Sequence, residues 1–167
     1  MSASHRAASS SIGSSERVVW ERNGAWQPAR EALEKLLTAY DWGECFTAMN
    51  LVLRPTLDQV LIRQLANAAR DNNDDLTWLL LGNLAADADR CTRWSLALAR
   101  YAIEQRAANR DVLRRWIDRW TPRAEAAAAG LSQLFEQLPS GVRSAETAEN
   151  AANSARHRVL TEAGLAG

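Results

Sequence analysis

Histidine is the residue type that decides which metal or catalytic chemistry this chain could support. The 167-residue sequence has two, His5 and His157, and both lie in polar flanks rich in Ala and Ser. A carboxylate-bridged di-iron site in a helical bundle takes Glu-x-x-His pairs from its helices, but the sequence contains no Glu-x-x-His. Cys/His zinc sites and a Ser-His-Asp triad lack suitable histidines for the same reason. Because phosphate-binding Gly-rich loops are also missing, we predict no catalytic, metal-binding or cofactor-binding residues on this chain.

Acidic residues offer the remaining route to a metal site. An irregular di-metal set would use Glu44, Asp58, Asp87 and Asp89. The polar stretch that holds two of them is more simply interpreted as a solvated helix face with two ion pairs, Asp87 with Arg90 and Asp89 with Arg93. A di-metal enzyme is therefore the least favoured hypothesis, behind the two that are given at the end of this section.

The two cysteines, Cys45 and Cys91, are too few for a disulfide framework. Two small buried hydrophobic side chains in a reducing compartment are the favoured interpretation, and a disulfide or a reactive thiol are the alternatives. The chain does not open with a basic-then-apolar secretory signal. We expect a cytoplasmic protein.

Charge and composition narrow the function classes. Twenty basic and twenty acidic residues give a net charge of 0, which argues against a dedicated nucleic-acid binder. The sequence has no apolar run long enough to span a bilayer. Hydrophobic residues make up 47% of the chain, which is ordinary for one globular domain with tails.

Apolar residues recur at steps of three and four, and no segment alternates as a strand would. We predict an all-α fold with a disordered Ser/Ala-rich tail over 1–16, a helical bundle over 17–138, and a flexible or short-helix tail over 139–167. The predicted elements of the bundle are a loop over 17–26 and helices over about 28–40, 41–70, 74–104 and 110–137. Pro55 is expected to kink the second helix, and two shorter helices are the alternative.

The chain has seven tryptophans. Four fall on the apolar stripes and are expected in the core: Trp42, Trp94, Trp116 and Trp120. The others lie beside a stripe or in the loop, where large aromatics are typical of protein interfaces. With the arginines on outer helix faces, they give the candidate interface set: Trp20, Trp26, Trp78, Arg90, Arg114, Arg115 and Arg119.

Three segments together resemble the β subunit of the hydroxylase in bacterial multicomponent monooxygenases, of the toluene and phenol hydroxylase type. They are DWGECFTAMNLVLRPTLDQVL, DADRCTRWSLALARYAIEQ and NRDVLRRWIDRWTPRAE. The similar region runs from about Trp26 to Leu138, and it resembles only the C-terminal part of such a subunit. A truncated reading frame, a fragment and a split gene are the open explanations.

The resemblance implies a ferritin-like, ribonucleotide-reductase-like bundle of long helices. It further implies a non-catalytic scaffold for an α subunit that holds the di-iron centre, within an (αβγ)₂ hydroxylase that oxidises aromatic hydrocarbons. Asp87-Ala88-Asp89-Arg90 lies about where a metal-binding relative would place Glu-x-x-His, and a guanidinium cannot ligate iron. The alternative is a freestanding helical module that associates with itself and has no oxygen chemistry.

Overall fold

A computed structural model describes residues 16–138 and 144–166, which are helical with short turns. We name the helices α1 (16–22), α2 (Gln27–Leu37), α3 (42–71), α4 (Asp75–Gln105), α5 (Asn109–Ser132, continued by a 3₁₀ turn over Gln133–Gln137) and α6 (Ala145–Glu162). No strand occurs in the described ranges, so the prediction of an all-α fold is confirmed. The segment 1–15, on which most of the predicted disordered tail falls, lies outside the described residues, as do 139–143 and 167.

Helix α3 is one continuous helix that passes through Pro55. It alternates α segments (Trp42–Phe46, Arg54–Asp58, Leu65–Asp71) with π segments (Thr47–Leu53, Gln59–Gln64). Proline lacks an N–H and its ring crowds the preceding turn, and the wider π turn before it relieves that crowding. The Thr56 hydroxyl donates to the Val52 carbonyl oxygen at 2.9 Å. The prediction of one helix is confirmed, and π segments flank the proline.

The start of α3 follows half of the expected local pattern. The Asp41 carboxylate accepts hydrogen bonds from the amides of Gly43 (2.7 Å) and Glu44 (3.1 Å), as an N-cap does. The sequence Asp-Trp-Gly-Glu at 41–44 predicts a capping box, in which Glu44 would also reach back to the Asp41 amide. Its Oε1 instead accepts the indole N–H of Trp120 on α5 at 2.9 Å. A buried partner from another helix therefore replaces the local capping-box contact.

Small residues form much of the core. Helix α5 lies centrally, with Trp120 at 2% exposure and Ala124, Ala127 and Leu131 at 0%. It packs against α2, α3 and α6, and α6 contributes its own fully buried alanines at 148 and 152. Alanine at these contacts lets the helix axes approach closely. The core is therefore built as much from close backbone packing as from large side chains.

Three local predictions are wrong. Residues 16–22 form a short helix where a loop over 17–26 was predicted. This helix is largely exposed, so it needs no apolar face that the spacing of residues could reveal. An asparagine directly before the predicted helix over 110–137 indicates an N-cap at Asn109, but Ala108 holds that position. The Asn109 Nδ2 instead donates to the Ala102 carbonyl oxygen at 2.8 Å. Asp89 pairs with Arg63 on α3 rather than with Arg93, because α3 packs alongside.

Candidate functional site

The four acidic side chains considered as metal ligands do not converge. Each faces a different arginine: the pairs are Arg119–Glu44 (3.0 Å), Arg54–Asp58 (3.6 Å), Arg90–Asp87 and Arg63–Asp89. Within the ranges 16–138 and 144–166, no three His, Cys, Asp or Glu side chains are grouped so that they could hold a metal ion. A carboxylate that already faces a guanidinium is a poor ligand, so this residue set does not fit a di-iron centre.

Asp58 is an acidic residue that lies partly buried on α3. Burial raises the pKa of its carboxyl, and this effect outweighs the opposing attraction of Arg54 and Arg63. It lines a cavity of about 320 Å³ between α3, α4 and α6. Arginine and acidic side chains both line that cavity, which gives it mixed charge.

Helix α4 carries the largest group of exposed apolar side chains near its N-terminus. We define the leucine face as Leu76 (68% exposed), Leu79 (58%), Leu80 (56%) and Leu84 (50%). The steps of four between Leu76, Leu80 and Leu84 predict an apolar stripe that faces the core, and that prediction is wrong. The buried side of α4 is a neighbouring face formed by Ala88, Ser95, Leu96 and Ala99. A contiguous exposed apolar patch of this kind marks a contact surface.

A second exposed apolar area joins α3 and α4 through aromatic rings. Trp42 stacks on Phe46 with ring centroids 5.5 Å apart, and Phe46 meets the edge of Trp94 at 5.9 Å. Trp42 is 70% exposed and Trp94 is 58% exposed, so their predicted place in the core is wrong. Trp120 is buried as predicted, and Trp116 is half-buried. The spacing of apolar residues identifies an apolar face of a helix, but it does not show whether a neighbouring helix covers that face. The exposure of Trp42 and Trp94 was therefore not predicted.

The three tryptophans predicted at an interface fall in two places. Trp20 and Trp26 lie near each other, with ring centroids 6.1 Å apart, beside a cavity of about 300 Å³ that Val19 also lines. Trp78 lies one helical turn into α4, next to the leucine face, and the Arg70 guanidinium lies 5.3 Å from its ring centroid. Trp20 and Trp78 are partly exposed, at 38% and 41%.

The four candidate arginines differ in their contacts. Arg90 is exposed and pairs with Asp87, and Arg119 pairs with Glu44. Arg114 is half-buried, and its guanidinium donates to the Ala166 carbonyl oxygen at 3.4 Å. Arg115 is exposed on α5. Arg114 and Arg119 therefore contact distant parts of this chain. The four arginines do not form one cluster with the tryptophans.

The described helices also bear on membrane insertion. Within the ranges that the structure describes, no helix is both long and apolar enough to cross a bilayer. The arrangement thus offers apolar contact surfaces on a helical frame and, in those ranges, no assembled ligand set.

Comparison with known proteins shows the family to which this chain belongs. Residues 2–106 match the family model described as methane/phenol/alkene hydroxylase. The β subunit of the hydroxylase component of the toluene-4-monooxygenase system from Ectopseudomonas mendocina is 42% identical over 128 residues, which is 76% of this chain and 39% of that protein. The small subunit of the propane 2-monooxygenase hydroxylase component from Gordonia sp. (strain TY-5) is 31% identical over 129 residues, 75% of this chain and 35% of that protein.

A solved structure agrees with these relatives. A structure of toluene 4-monooxygenase with toluene bound in the resting active site has a TM-score of 0.70 and 40% sequence identity over 72% of this chain and 40% of that one. The predicted long-helix bundle is confirmed by this match. The chain spans about two fifths of the length of the relatives it matches. It belongs to the methane, phenol and alkene hydroxylase family, and its similarity is to the β, or small, subunits of the hydroxylase component.

Proposed function

We propose that this chain is a non-catalytic structural β subunit, or part of one, of a cytoplasmic di-iron hydroxylase that oxidises aromatic or related hydrocarbons. The observation that carries the proposal is its 42% identity to a hydroxylase β subunit. The iron would lie on an α subunit, because the four acidic side chains considered as ligands face arginines instead of each other. An (αβγ)₂ assembly is the expected complex.

The proposed contact with the α subunit is the leucine face together with Trp78. Burying an apolar side chain that is more than half exposed contributes about 1–3 kcal/mol. Several such residues on one helix therefore stabilise a complex in which that side of α4 is covered. Trp20, Trp26 and Arg115 remain proposed as secondary contacts.

Co-expression with α and γ subunits from a related system tests this proposal. The tagged chain should co-purify with both, and the double variant Leu76→Gln/Leu80→Gln should reduce the recovered α subunit by about tenfold or more. Leu37→Gln is the matched control, because Leu37 is 86% exposed but lies on α2, away from the leucine face. Failure of the unmodified chain to co-purify would show that the subunit role is wrong.

A freestanding self-associating module is the alternative. The leucine face would then meet its copy on a second molecule, and light scattering would show a stable homodimer that the same double variant dissociates. A homodimer that does not bind the α subunit would favour this alternative over the subunit role.

A further inference from the structure

A third cavity lies between α3, α4 and α5. Its volume is about 180 Å³, and its walls include Trp42, Phe46, Leu98, Ala102, Leu113 and Trp116. Phe46 and Leu113 are 7% and 6% exposed, so the inner wall is rigid core. Trp42, at 70% exposure, marks the side on which the cavity meets solvent.

The wall presents little that could bind a polar ligand. The Asn109 side chain reaches it, but its Nδ2 already donates to the Ala102 carbonyl oxygen at 2.8 Å. The remaining wall residues are aromatic or aliphatic or, at Gly43, lack a side chain. Apart from the indole N–H groups of Trp42 and Trp116, the wall offers a polar molecule little to replace its hydrogen bonds to water, whereas a hydrocarbon would lose none.

Gly43 lets the Trp116 ring approach the backbone of α3 at one wall of the cavity. A Cβ at this position would lie 2.9 Å from the Trp116 ring, so the ring packs directly on the glycine backbone. Trp116 and Trp42 therefore present aromatic surfaces to one space. Aromatic rings stack or meet edge to face when such surfaces are available.

The cavity also has the size of a single aromatic ring. An apolar cavity of about 150 Å³, lined by aliphatic and aromatic side chains in a helical protein, stays dry and binds benzene. The present cavity is slightly larger. From its volume, its apolar wall and its aromatic surfaces, we propose that it is a binding site for a small aromatic hydrocarbon on this chain. The site consists of this chain's own residues, so the inference does not depend on the proposed subunit role.

A ¹⁹F NMR titration of the full chain with fluorobenzene tests the site. We expect a saturable shift for the unmodified protein. Ala102→Leu should weaken binding by about tenfold or more, because its isobutyl group fills the cavity. Ala97→Leu is the matched control, since Ala97 is exposed on the same helix and does not line the cavity, and it should bind as the unmodified chain does. Equal binding by the unmodified chain and Ala102→Leu, or no saturable shift in either, would overturn the proposal.

A second variant keeps the test decisive if Ala102→Leu fails to fold. Leu98→Ala enlarges the cavity, so it should bind 1-fluoronaphthalene while the unmodified chain does not. Equal binding of this larger probe by both proteins would overturn the proposal. Repeating the fluorobenzene titration on the complex with the α subunit distinguishes the other occupant: loss of binding there would show that a partner side chain fills the cavity.

Discussion

The indole N–H of Trp120 donates to the Glu44 carboxylate at 2.9 Å, although the two residues are 76 positions apart in the chain. Trp120 is 2% exposed, and Arg119 lies 3.0 Å from the same carboxylate oxygen. This contact ties the first turn of α3 to the middle of α5. It also leaves a carboxylate in the core that depends on two partners from one helix.

Replacing Trp120 with Phe should lower the free energy of unfolding by about 1–3 kcal/mol, because the buried Glu44 carboxylate loses a hydrogen bond. Urea denaturation followed by circular dichroism measures the change. Trp94→Phe is the control, since Trp94 is 58% exposed, and it should change stability by less than about 0.5 kcal/mol. Similar losses in both variants would contradict the assigned role of the Trp120 contact.

Two helical glycines should respond in opposite directions to alanine. A Cβ at Gly130 would lie 2.8 Å from the Ala25 carbonyl oxygen and 3.1 Å from Pro28, so Gly130→Ala should destabilise the protein by about 1–3 kcal/mol. A Cβ at Gly82 would have nothing within 4 Å, so Gly82→Ala should stabilise it by about 0.5–1 kcal/mol through helix propensity. Thermal melts of the two variants measure both effects, and changes of the same sign would refute the explanation.

The free energy of unfolding should depend on pH through the titration of Asp58. Burial raises the pKa of this carboxyl in the folded state, so the folded protein holds the proton to higher pH than the unfolded chain does. The unfolding free energy therefore falls as pH rises from the usual Asp range through the raised pKa.

Asp58→Asn should remove the decrease in unfolding free energy that comes from Asp58, and it should raise the melting temperature at neutral pH. Melting temperatures recorded across this pH window measure it. Asp87→Asn, which removes an exposed carboxylate, serves as the control. A lower melting temperature for Asp58→Asn at neutral pH would mean that the Arg54 attraction outweighs burial.

Arg156 on α6 is 6% exposed and pairs with Glu125 at 2.8 Å and with Asn153 at 3.0 Å. Burial lowers the pKa of its guanidinium, against the stabilising effect of Glu125. Glu125→Ala should therefore destabilise the chain by about 2 kcal/mol, because it leaves a buried charge with less compensation. Chemical denaturation measures the loss.

The control for this prediction is a surface pair of the same type. Arg30 and Glu34 lie 2.6 Å apart on α2, with the Glu34 side chain 56% exposed. Glu34→Ala should change stability by less than about 1 kcal/mol. An equal effect at the two sites would show that burial does not set the strength of the Arg156 pair.

Local signals predicted the helices well. The acidic turn before the predicted helix over 74–104 indicates an aspartate N-cap, and the Asp74 side chain accepts from the Thr77 amide at 3.0 Å. Helix α3 ends at Asp71, one residue beyond the predicted end. Spacing and caps act within a few residues, so the sequence contains them directly.

The buried side of each helix was harder to predict. The large residues of α4, Leu76, Leu80 and Trp94 among them, have the spacing of a core stripe but are exposed. Ala88 and Ala99 are buried instead, because close approach of helices selects small side chains that give a weak hydrophobic signal. The exposed tryptophans on α3 and α4 and the partner of Glu44 were missed for a related reason, since both depend on tertiary contacts.

The alanines between α5 and α6 make tolerance to substitution depend on side-chain size. Ala124, Ala127, Ala148 and Ala152 are all 0% exposed, so an added methylene there must displace neighbouring core atoms. Leu76, although much larger, stands in solvent and can be exchanged without moving any helix of this chain. In a complete scan of single substitutions on the isolated chain, the buried alanines would therefore be the least replaceable apolar residues and the exposed leucines near the start of α4 the most replaceable.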